Sequence, residues 1–190
     1  MPDIVEQGPA WSLTDCAVLI VESAAIVAVD LFYARTVAPD PTIQTLAFEG
    51  DDTTQEIDEL QYLRYVITCD KRDWDAVQRI FAKTKVLTPD PAETWGMWFG
   101  DDNEVAGIAA GLRYDLKSKD ESVTPNESYT ERVTVPKGVM KLIRPTQAEW
   151  KAKSTFQLHF TASKSATDLL GAALSGVPSG GAYYRVGRVT

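Results

Sequence analysis

The chain has 190 residues, 44 % of them hydrophobic, enough for one domain to bury a full core without staples. Its 27 acidic residues outnumber 19 basic ones, a net charge of −8, which argues against gripping a phosphate backbone, since that needs a basic surface. Cys16 and Cys69 sit in no CxxC pair and beside no histidine, so they read as small buried hydrophobes in a reducing compartment.

Residues 1–15 have no clear period and read as an arm that is ordered only where something holds it; residues 16–190 are the main domain. The opening Met1-Pro2-Asp3-Ile4-Val5-Glu6 has no basic flank and does not read as a signal peptide. Residues 16–32 are apolar but interrupted by Glu22 and Asp30, too short and too charged to span a bilayer. Folding in a cytoplasm, without a membrane, is the expectation.

Residues 16–21 and 25–33 are rich in β-branched side chains and read as strands. Residues 35–42 contain Pro39 and Pro41 and read as a loop. Thr42–Glu49 alternates, and Gly50-Asp51-Asp52 is turn chemistry. A long strand from about Thr53 to Cys69 then sets Leu63, Tyr65, Ile67 and Cys69 on one face. Asp70-Lys71-Arg72-Asp73 ends that strand and offers a helix cap. Trp74, Val77, Ile80 and Phe81 recur at helical spacing through Thr84, and this stripe should lie across a sheet.

A second hairpin is expected from Glu93 to Lys119, with its turn at Gly100-Asp101-Asp102-Asn103. Its return strand presents Ala106, Ile108, Ala110, Leu112, Tyr114 and Leu116 on one face. If Thr94–Phe99 is extended, Trp95 and Trp98 point opposite ways. A third β unit spans Tyr129–Arg144, with a break at Pro136-Lys137-Gly138. Phe156, Leu158, Phe160 and Ala162 alternate with Gln157, His159, Thr161 and Ser163, the cleanest strand pattern in the chain. Ser165–Leu174 reads as a short helix, and a last strand covers about Ala182–Val189. The fold class is mainly β with one principal helix.

No set of nucleophile, base and orienting group emerges, so neither an enzyme nor a cofactor is expected. The one histidine, His159, falls on the polar face of a strand and reads as a surface or interface residue. Gly176–Gly181 has no lysine and opens no helix, so it is a turn and not a phosphate loop.

Charge is unevenly placed. Glu49, Asp51, Asp52, Glu56, Asp58 and Glu59 put six carboxylates into eleven residues. The spacing is not that of a calcium loop, and three readings stay open: a divalent-cation site, a solvated hairpin tip, or an acidic surface turned toward DNA or a basic neighbour. Lys137, Lys141, Arg144, Lys151 and Lys153 face only Glu149, a net +4. An acidic hairpin and a distant basic segment in one chain suit head-to-tail association, which yields rings or filaments.

The stretch Ile43–Asp52, with its strand and Gly-Asp-Asp turn, resembles the corresponding hairpin of siphophage major tail tube proteins. The junction Ile67-Thr68-Cys69-Asp70-Lys71-Arg72-Asp73 before an amphipathic helix is similar too, as is Phe156–Gly171, where an alternating strand leads into Thr167-Asp168-Leu169-Leu170-Gly171. The resemblance spans about residues 15–189. It implies a β-sandwich or half-barrel flanked by a helix, closing with its neighbours into one continuous β-barrel in a hexameric ring. It also implies rings stacked into a hollow tube in the virion tail, assembled in the host cytoplasm on a tape-measure protein and meeting tail terminator and distal tail proteins. Genomic DNA would pass through the lumen without specific binding. No catalytic or metal residue carries over. Two other classes stay open: another tube-like subunit (baseplate, tail-completion or secretion-tube), and a β-sandwich binding module using Trp95, Trp98 or Trp150.

Overall fold

The computed structural model describes residues 10–49, 54–70, 73–87, 94–97, 106–119, 130–143 and 156–189. The elements there are β1 (Ala10–Glu22), β2 (Ala25–Asp30), β3 (Ala34–Glu49), β4 (Thr54–Cys69), α1 (Trp74–Ile80), β5 (Lys85–Leu87), β6 (Trp95–Met97), β7 (Ile108–Lys119), β8 (Thr130–Ile143), β9 (Phe156–Ala162) and β10 (Arg185–Val189). The chain is mainly β with a short helix, in line with its alternating patterns.

Eight strands form one antiparallel sheet in the order β2-β1-β7-β8-β9-β4-β3, with β10 also paired to β8. On one edge β8 holds β9 along Gly138–Ile143 and β10 along 130–134. β5 and β6 pair separately. Among the described residues the sheet does not close into a barrel; β2 and β3 are its ends.

The core lies on one face. Cys16, Val18 and Ile20 of β1, Leu63, Tyr65, Ile67 and Cys69 of β4, Ala110, Leu112 and Tyr114 of β7, and Leu158, Phe160 and Ala162 of β9 are all buried. Each set advances by two residues, as a half-buried strand requires. α1 covers this face with Val77, Ile80 and Phe81, which are at most 3 % exposed. Burying one such side chain fully stabilises the fold by about 1.5–3 kcal/mol. Trp74 is only partly buried against the core and meets Trp95 edge to face, with ring centroids 5.9 Å apart. The Asp73 side chain caps the helix by accepting from Ala76 N at 3.0 Å.

Several expectations are corrected. Residues 10–15 belong to β1, tied to β7 from Ala10↔Lys119 to Asp15↔Asp115; the rest of the expected arm, 1–9, lies outside the described residues. Residues 35–42 are not a loop but part of β3, with Pro39 opposite Tyr65 and Pro41 opposite Leu63. β3 is an end strand, and two prolines two residues apart both turn their missing N–H to the open edge, where no ladder bond is lost. The helix stops at Ile80 instead of Thr84: Ala82 takes φ +50°, while Ala82 N donates to Arg79 O and Lys83 N to Gln78 O. That is a Schellman ending, closed by an alanine in place of the usual glycine.

β6 pairs with β5, not with β7, so the hairpin expected over Glu93–Lys119 does not form. Trp98 and the residues of its expected turn lie outside the described residues. β8 runs unbroken through Pro136-Lys137-Gly138, and the expected break is a bulge: Ala110 faces Gly138 and Leu112 faces Val135. A Cβ at Gly138 would overlap the Thr161 carbonyl oxygen and the Phe160 ring, so only glycine fits there. Residues 165–174 form no helix. Asp168 Oδ1 accepts from Leu170 N and Ala172 N, both at 2.9 Å, and such local side-chain bonds compete with a helical ladder.

Candidate assembly surface

β4 is flanked by β9 only from Leu63↔Ala162 to Cys69↔Phe156. Its pairing with β3 continues past that point, from Ile43↔Leu60 to Glu49↔Thr54. Among the described residues the distal hairpin is therefore a two-stranded ribbon beyond the body of the sheet. An irregularity between Thr42 and Ile43 marks its base, where β4 has one extra residue. A lone two-stranded ribbon is marginal in water and gains stability by packing on something else.

Glu49, Glu56, Asp58 and Glu59 lie on the strands of this ribbon. Asp51 and Asp52 lie outside the described residues. Of the basic set, Lys137 is half-buried in the β8 bulge and Lys141 is exposed; Arg144, Lys151 and Lys153 lie outside the described residues. Lys141 faces His159, which in turn faces Val66, well inside the sheet. The acidic and basic sets are thus not brought together within the described part of the chain.

The side of the sheet away from the core carries an ion-pair network that the sequence reading missed. Arg113 Nη2 lies 3.6 Å from Asp15 and 3.9 Å from Asp30. Arg132 donates twice to Asp115 at 2.8 Å, and Asp115 is 6 % exposed. That hydrogen bond pushes the Arg132 guanidinium further toward its charged form. Register makes the network: Ala17 pairs with both Asp30 and Arg113, and Asp115 with both Asp15 and Arg132. The signal in the sequence is charge at alternate positions of β7, Arg113, Asp115 and Lys117, with Asp15 and Arg132 on its neighbours. Which charges meet depends on strand order, and strand order is non-local.

His159 lies on the same outer face. Burial, then the nearby Arg64 charge, lowers its pKa from 6.5, and Asp40 opposes the shift. Arg64 is itself paired with Asp40. The histidine therefore sits among fixed charges and in a form biased to neutral. Both cysteines are free and buried. Burial raises both thiols, Cys69 to about 11 and Cys16 further, which suits core packing and not nucleophilic attack. Among the described residues no three His, Cys, Asp or Glu side chains group as metal ligands.

Exposed apolar groups are spread over the described surface, from Tyr62 on β4 to Tyr184 and Val186 at β10, and some lie at the β2 end. Phe32, in the turn after β2, is 81 % exposed, and Leu87 is 74 % exposed. A cleft beside α1 is lined by Phe32, Tyr33, Trp74 and Trp95, with Arg79 and Lys85 at hand. Lys85 stands 5.3 Å over the Trp95 ring and pairs with Asp75. Compared with known proteins, the chain matches no family model and no curated sequence.

Proposed function

We propose that this chain is a structural subunit that assembles with copies of itself, of the kind that stacks as hexameric rings into the tail tube of a long-tailed bacteriophage. One observation carries the reading: a sheet unclosed among the described residues, whose distal β3–β4 ribbon extends past the last β9 pair, Leu63↔Ala162. A sheet with open ends is a liability in a monomer and an asset in a ring, where neighbours cover the edges. The acidic ribbon meets a neighbour's basic segment or faces the lumen, where negative charge keeps DNA from sticking. The partners are further copies, a tape-measure protein, and terminator and distal tail proteins; α1 lies on the outer side of the tube.

Sedimentation velocity over a wide range of concentration tests the self-assembly. Species of ring size or larger, growing with concentration, support it. A single monomer peak throughout contradicts it.

A further inference from the structure

Among the described residues the terminal strands β2, β3 and β10 each offer an edge to a neighbour, and they are not equivalent. The outer edge of β3 is blunted along its first half by Pro39 and Pro41, which have no N–H to donate. β10 carries Arg185, Gly187 and Arg188 within five residues, and charge and glycine both discourage strand addition. β2 reads Ala25-Ile26-Val27-Ala28-Val29-Asp30, with no proline, no glycine and no charge before its last residue. Such a segment invites a further strand. The exposed Phe32 flanks its end. At the opposite end of the strand order, the distal part of β3, Ile43-Gln44-Thr45-Leu46-Ala47, is likewise without charge or proline.

Direction decides how these two edges meet. Every neighbouring pair along β2-β1-β7-β8-β9-β4-β3 is antiparallel. Directions alternate over seven strands, so β2 and β3 run the same way. Copies related by head-to-tail rotation must then join β2 to β3 in parallel.

We infer that a second copy of this chain docks by parallel strand addition, its distal β3 edge (Ile43–Ala47) pairing with the open edge of β2. This rests on the self-assembly reading above and specifies its contact. The two-residue turn pairs Glu22 with Ala25, and Leu31 N donates to Cys16 O at 2.7 Å. Odd-numbered residues of β2 therefore point their N–H groups at β1, and Ile26, Ala28 and Asp30 point theirs outward. On β3, Thr45 continues the outward series of Pro39 and Pro41.

Ala28→Pro and Thr45→Pro each remove one outward donor without breaking a ladder bond inside the subunit. Each variant is checked for a cooperative thermal melt; one that fails is replaced by Ile26→Lys or Ala47→Lys, which charge the same edges. Assembly is then read by sedimentation velocity for the wild type, for each variant alone and for a one-to-one mixture. Each variant alone should need at least ~10-fold higher concentration to associate. The mixture should form dimers and nothing longer, because each chain keeps one competent edge and those edges are complementary. If Thr45→Pro dimerises alone, the contact is β2 to β2 and the inference falls. If both folded variants assemble as the wild type does, it also falls, while self-assembly stands. A wild-type chain that stays monomeric overturns both.

Discussion

Tyr65 on β4 meets Tyr114 on β7 edge to face, with ring centroids 6.1 Å apart, although β8 and β9 separate these strands in the sheet. Only a strongly curled sheet lets them touch, and right-handed twist accumulated over the intervening strands supplies that curl. Burial raises both phenols above their usual range, Tyr114 to about 12. Tyr65 also packs against Phe160, 6.2 Å away. Tyr114→Ala would remove a side chain that is 7 % exposed and should cost about 3–5 kcal/mol in chemical denaturation. A loss under about 1 kcal/mol would show that the core does not depend on this crossing.

The β1–β2 turn is strained by its own sequence. Ser23 and Ala24 both take positive φ, 49° and 60°, in a two-residue connection between Glu22 and Ala25. That is the geometry for which Asn-Gly is the favoured pair. Ser23→Asn with Ala24→Gly should stabilise the monomer by about 1 kcal/mol, from relieved αL strain set against the added freedom of the glycine. A lower thermal midpoint in the double variant would count against this turn geometry.

His159 gives a pH dependence with a defined sign. Its pKa is lowered in the fold, first by burial and then by Arg64, and Lys141 faces it from β8, with Asp40 the opposing acid. The unfolded chain binds a proton at this site before the folded chain does, so the stabilisation is complete above pH 6.5 and is lost as pH falls through the lower folded value. Between about pH 7.5 and about pH 5.5 the wild-type melting temperature should drop more than that of His159→Gln. Parallel curves would mean that the histidine is effectively solvated.

Two placements of the acidic ribbon separate experimentally. If it meets a basic neighbour, assembly weakens with salt, because exposed charges are screened over about 8–10 Å at ordinary ionic strength. Asp51→Asn with Asp52→Asn then slows polymerisation. If the ribbon lines a lumen, the double variant assembles as well as or better than the wild type, and the cost appears at DNA passage.

Strand patterns were the most legible part of this sequence. Leu63, Tyr65, Ile67 and Cys69 fall on the core face because period two survives any partner choice. Asp73 as cap and Val77, Ile80 and Phe81 as the buried stripe were legible for the same local reason. Partner choice was not: β6 joins β5 instead of β7, and β7 lies between β1 and β8. Proline misled at Pro39 and Pro41 because its cost depends on whether a strand is at an edge, which no local window reveals. The acidic hairpin was readable as a hairpin, but its projection beyond β9 depends on where β9 ends in the register. The ion pairs of Arg113 and Arg132 were hidden for the same reason.

Negative-stain microscopy of the purified full chain at high concentration tests the central claim most directly. Hollow tubes or stacked rings of uniform diameter are the expected result. Uniform single-subunit particles at the same concentration would contradict the account.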